Sequence, residues 1–134
     1  MNIESSPLTI ACKKEKIVSF ISVPSNLNVL LPQDKISGFE ADAESCKFKI
    51  QGGISISLVL DGNNDFGVAY KSGATSPFPF TLQIHLTAKE TQTEGYLQFK
   101  GEAPVMVAML AKNPLTALFN DMGSNLKNIM EQEG

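Results

Sequence analysis

APVMVAMLAKNPLTALFNDMGSNLKNIMEQEG, residues 103–134, is the stretch on which the fold turns. Leu115, Leu118, Met122, Leu126 and Ile129 step by three, four, four and three, which puts them on one helical stripe. Thr116, Asn120, Asp121, Ser124 and Lys127 fall on the opposite side. A helix from Pro114 to about Met130 spans roughly 25 Å at about 1.5 Å per residue, enough to lie across a whole sheet. Asn113–Pro114 reads as an N-cap followed by proline at the first helical position. VMVAMLA is then a separate short helical segment or the first arm of a kinked helix.

Almost everything upstream reads as sheet. Residues 3–12, IESSPLTIAC, form an edge-type strand with Leu8, Ile10 and Cys12 on one face, and Pro7 fits only near the start of pairing. In KKEKIVSFIS, Ile17, Phe20 and Ile21 stand at i, i+3 and i+4 and predict a short amphipathic helix. The KKEK run is the solvated start of that helix, too short for a nucleic-acid or membrane patch. Pro24 interrupts it, Ser25 can cap a second short helix carrying Leu27, Leu30 and Leu31, and Pro32 stops that one.

From Lys35 the period changes to two. KISGFEA is a short, weak strand and Ala41 to Glu44 a turn. KFKI (47–50) and ISISLVLD (54–61) are joined by Gln51, Gly52 and Gly53, a hairpin connector. Ile54, Ile56, Leu58 and Leu60 alternate with Ser55, Ser57 and Val59. DGNND (61–65) turns the chain into a strand with Phe66, Val68 and Tyr70 alternating. After the loop KSGATSPFP, Phe80, Leu82, Ile84 and Leu86 face inward against Thr81, Gln83 and His85. GYLQFKG then offers Leu97 and Phe99. Consecutive strands with short connections pair antiparallel, and a sheet with one apolar face needs a cover. The terminal helix is the element long enough to provide it.

The order of strand, two short helices, six strands and a long helix resembles the START-like, or SRPBCC, superfamily, the helix-grip or birch-allergen-like fold. The resemblance rests on the edge strand ending at Cys12, the helix pair between Lys13 and Leu31, and NPLTALFNDM opening the last helix. At 134 residues the chain resembles the small bacterial members and is read as one α+β domain. The expected architecture is a curved antiparallel sheet of about seven strands wrapped around the C-terminal helix. The resemblance implies an apolar cavity between that helix and the concave sheet. Members bind lipids, sterols or polyketide-like ligands, some catalyse cyclisation or hydration, and some serve as cochaperones. No short motif defines the group, so no activity carries over residue by residue.

Composition narrows the function classes. The formal net charge of −3 speaks against nucleic-acid binding, and all 11 basic residues are lysines, so the bidentate arginine fork used on phosphate or guanine is absent. No apolar run approaches the roughly 18 residues that span a bilayer, and the N-terminus does not read as a signal peptide. Cys12 and Cys46 lack metal or redox spacing and read as buried thiols, although a disulfide between them stays open. A cytoplasmic protein without cofactor or membrane insertion is the expectation.

A search for chemistry finds little. His85, the single histidine, alternates out of the inward row and points to solvent, whereas a general base should face the pocket. Asp61, Asn63 and Asp65 imitate the first ligands of a calcium loop. Phe66 and Ser72, however, stand where that loop needs glycine and glutamate. The carboxylates fall at turns and termini, with no pair placed for acid–base work. What remains is a cavity, with lining expected from Ile56, Leu58, Tyr70, Phe78, Phe80, Leu82, Met106, Met109, Leu118 and Met122. Pro77 and Pro79 would stiffen a loop with Phe78 at the mouth, and Tyr70 could supply one hydroxyl. Three readings stay open: a carrier or sensor of a small hydrophobic ligand, a cyclase- or hydratase-like enzyme, and a packed interaction domain with no ligand.

Overall fold

The computed structural model describes residues 1–50 and 52–133, so Gln51 of the hairpin connector lies outside the described residues. Eight strands form one antiparallel sheet: β1 (Asn2–Glu4), β2 (Leu8–Ile10), β3 (Ile36–Ala41), β4 (Ser45–Ile50), β5 (Ser55–Asn64), β6 (Gly67–Ser72), β7 (Phe80–Ala88) and β8 (Thr93–Gly101). Their order is β1-β8-β7-β6-β5-β4-β3, with β2 also pairing β8. The helices are α1 (Lys14–Ile21), α2 (Leu27–Leu30) and α3 (Val105–Glu133), with a 3-10 turn over Pro24–Asn26 before α2. This is the START-like helix-grip architecture that the element order predicts, with α3 as the long helix.

Period-two alternation builds the inner face. Leu60, Tyr70, Leu82, Phe99 and Ile3 are paired in register strand by strand, so they make one row across β5, β6, β7, β8 and β1. Val68, Ile84 and Leu97 make the next row. Against these rows α3 lays Ala111, Leu115, Leu118, Phe119, Met122, Leu126 and Met130, all buried. Gly123 permits a close approach, because a Cβ there would meet the Leu8 side chain of β2 at 3.1 Å.

Side chains join the helices to the sheet and to one another. The Tyr70 hydroxyl donates to the carbonyl of Ile21, the last residue of α1, at 2.6 Å. The Asn26 amide donates to Phe20 O at 2.9 Å, and Asn125 of α3 to Leu30 O of α2 at 2.8 Å. At the far end of α3, Glu131 accepts from the Ala11 N–H at 2.9 Å and from Lys127 Nζ at 2.7 Å.

Four local readings are corrected. Residues 3–12 are two strands, broken around Pro7, and Ser5 bridges the gap: Leu97 N–H donates to its Oγ at 2.9 Å. Ser25 caps no helix but lies inside the 3-10 turn. β5 runs on to Asn64, past the expected turn at 61–65, with a register shift between Leu60 and Asn63. That shift and Gly67 at φ +143° carry Phe66 out of the inner row, and it packs on His85, ring centroids 4.9 Å apart. Finally, Asn113–Pro114 does not start a helix: α3 is continuous from Val105, with Pro114 inside it. Leu110 O then has no intrahelical N–H to accept from, a cost that the buried stripe on both sides of the proline outweighs.

Burial separates the residues of α3 sharply. Leu118→Ala is expected to destabilise the protein by about 2–5 kcal/mol, and Met106→Ala by no more than about 0.5 kcal/mol. Urea unfolding followed by circular dichroism measures both, and equal losses would contradict the placement of α3.

Candidate functional site

Eight of the ten expected lining residues are drawn together in the core. Ile56, Leu58, Tyr70, Phe78, Phe80, Leu82, Leu118 and Met122 all belong to one buried cluster. Met106 and Met109 do not join them: they are 77% and 76% exposed, and so are Val105 (76%) and Leu110 (73%) beside them. The reason is helical phase. Counting back from Leu115 by fours gives Ala111 and Val107, which face inward, and leaves Met106 and Met109 on the outer side.

Aromatic side chains occupy the space under the helix at one end. Phe80 and Phe99 have ring centroids 4.8 Å apart, Phe99 and Phe119 5.3 Å. Phe78 meets Phe80 and Phe99 edge-on, at 5.9 Å and 6.2 Å. Phe78 comes from the loop between β6 and β7 rather than from a strand, yet it is buried. Gly101 makes its room, since a Cβ there would lie 2.7 Å from the Phe78 ring.

Beside this cluster the surface opens. A groove of about 420 Å³ is lined by Gly53, Ile54 and Ser55 at the β4–β5 turn, by Thr75 and Pro77 of the β6–β7 loop, and by Val107 and Leu110 of α3. Ile54 and Val107 are shared between groove and core, since both also pack against the buried cluster. The lining carries no charged side chain. Val105, Met106 and Met109 are exposed on the outer side of the same helix end. Sequence reasoning missed Ile54, Val107 and Leu110 as site residues. The signal for Val107 was the stripe counted back through Pro114.

The polar candidates are placed elsewhere. The Tyr70 hydroxyl is consumed by Ile21 O, and burial pushes its pKa up, with the nearby Cys46 a smaller cause. Cys46 is likewise pushed up to about 12, mainly by burial. Both cysteines are buried free thiols. His85 lies on the outer face, stacked on Tyr96 at 4.6 Å with Nε2 2.9 Å from Gln98 Oε1. Asp65 offers its backbone carbonyl to Lys14 Nζ at 2.7 Å. Among the described residues no His, Cys, Asp or Glu side chains converge as a metal site, and no buried side-chain N or O atom lacks a partner.

A hollow of about 410 Å³ on the other face of β4 and β5 is polar, and its groups are already occupied. Lys47 pairs with Glu40 at 3.2 Å. Asp42 accepts from the N–H groups of Glu44 and Ser45 and from the Ser45 hydroxyl, which lowers its pKa. The apolar groove is the better candidate for a ligand.

Solved structures share this architecture over nearly the whole chain. A START superfamily protein from Mycobacterium smegmatis superposes with a TM-score of 0.70 at 13% identity, covering 99% of both chains. The KanY protein gives 0.76 at 15% identity, covering 98% of this chain and 97% of its own. The Aha1 dimer from Colwellia psychrerythraea gives 0.62 at 20%, covering 98% and 96%. No family model and no curated protein matches the chain. At these identities the likeness shows the START-like, SRPBCC fold alone. Among the described residues no helix is long and apolar enough to cross a membrane.

Tyr70 is thus a structural clamp. Tyr70→Phe should leave Ile21 O without its donor and cost about 1–3 kcal/mol, read as a lower melting temperature. An unchanged melting temperature would contradict the clamp.

Proposed function

We propose that this protein binds and carries a small hydrophobic ligand, docked in the groove between the first turns of α3, the β4–β5 turn and the β6–β7 loop. The observation that carries the reading is the run Val105, Met106, Met109 and Leu110, more than 70% exposed on one helix end beside an apolar groove. Such a surface stands in water at a cost of about 25 cal/mol per Å², and an apolar ligand relieves it. Methionine adapts to ligands of irregular shape. The fold supports the reading by analogy, since START-like proteins carry apolar ligands. None of the ten expected lining residues lines this groove itself: Met106 and Met109 stand exposed on the helix beyond Leu110, and the other eight belong to the buried cluster. The buried thiols support a cytoplasmic setting.

The packed-domain reading is favoured by one observation, the aromatic cluster that occupies the interior. It differs in outcome: it requires no small molecule. The cyclase or hydratase reading loses the Tyr70 hydroxyl to Ile21 O and finds no titratable side chain in the groove lining.

Purified protein is expected to show a raised melting temperature with members of a panel of fatty alcohols, sterols and flavonoids, and a bound mass by native mass spectrometry. Leu110→Glu should weaken that binding at least tenfold while leaving the melting temperature of the free protein within a few degrees. No shift across the panel, together with no copurified molecule, would overturn the carrier reading in favour of the packed domain.

A further inference from the structure

Resting on that reading, we infer that Phe78 is a displaceable plug, and that its ring holds the place of a ring-sized apolar group of the ligand. Phe78 sits where the groove meets the interior. Its chain neighbour Pro77 lines the groove, and its own ring lies among Phe80, Phe99 and Gly101. The groove walls Ile54 and Val107 also pack against the buried cluster to which Phe78 belongs.

The way Phe78 is held distinguishes it from its neighbours. Phe80 and Phe99 are strand residues in the paired register of β7 and β8 and cannot leave without breaking the sheet. Phe78 belongs to the loop at 73–79, which is held at its start by Gly73 N–H on Ser57 O at 3.0 Å, at its end by Glu102 N–H on Pro79 O at 2.9 Å, and in its middle by serine hydroxyls. Ser76 Oγ accepts from Ser57 N–H at 3.0 Å, donates to Ser57 O at 3.1 Å and lies 3.2 Å from Ser57 Oγ. These are neutral, half-buried bonds that water can replace. A ring that vacates this place leaves a subsite walled by Phe80 and Phe99, suited to an aromatic or similarly flat apolar group by offset or edge-on packing. The uncharged groove, with Ser55 and Thr75 at its side, suits a neutral hydrogen-bonding head at the other end of the same ligand.

The sequence contains no tryptophan, so Phe78→Trp supplies a single reporter. Its emission should be blue-shifted in the free protein and move to the red at saturation with 2-phenylethanol or a panel member that binds. A Ser57→Cys/Ser76→Cys variant, oxidised to pin the loop, should bind at least tenfold more weakly and recover on reduction. Phe78→Ala should take up benzyl alcohol at least tenfold more tightly than the unaltered protein, and adding Leu110→Glu should abolish the gain. Binding without a red shift, and undiminished in the pinned form, overturns the plug while the carrier reading stands. A protein that binds nothing on the panel overturns the carrier reading. The plug, which rests on that reading, falls with it, and in a protein that does bind, failure of Phe78→Ala to take up benzyl alcohol overturns the plug alone.

Discussion

The seam between α3 and the inner face of the sheet is the constraint from which the rest follows. Ala111, Leu115, Leu118, Met122, Leu126 and Met130 are buried there in one cluster with paired strand residues such as Tyr70, Leu82 and Phe99. Each of the larger side chains contributes about 1.5–3 kcal/mol on burial. Neither half is stable alone. The sheet without its cover would hold an apolar face to water, and α3 contains both Gly123 and Pro114, which lower helix propensity by about 1 and 3 kcal/mol. The helix is therefore a consequence of the sheet as much as of its own residues.

That dependence explains the asymmetry of the helix. From Ala111 onward α3 is covered, and its polar positions are used to hold neighbours: Asn125 donates to Leu30 O, and Asp121 pairs with Lys35 at 2.6 Å. Before Ala111 only Val107 and Ala108 are partly covered, and large apolar side chains stand in water. Loss of the Leu110 helical acceptor bond at Pro114 falls at this transition, where Leu110 is exposed. Packing and polar satisfaction thus prevail along most of the helix, and the unsatisfied apolar surface collects at its first turns.

The polar inventory argues in the same direction. The buried hydroxyls of Tyr70 and Thr93 both serve main-chain carbonyls, those of Ile21 and Cys12. The imidazole of His85 stacks on the outer face. The groove, by contrast, is lined by apolar and neutral groups.

Much of this was legible before any coordinates. Strict alternation in 80–86 and 97–99, and the stripe from Leu115 to Leu126, are local periodicities, and burial in the structure follows them. From these alone the chain declares a sheet, a covering helix and which side chains share each face. What it does not declare is where a face ends and what fills the space behind it. Met106 and Met109 are as hydrophobic as Met122, and a break assumed at Pro114 erased the helical phase that separates them. Tyr70 finds its partner 49 residues away, and Phe78 reaches the core from a loop with no period to read. Periodicity constrains neighbours along one element. Which loop closes over the interior, and where the helix outruns its cover, depends on distances between elements, and these arise only when the whole chain packs.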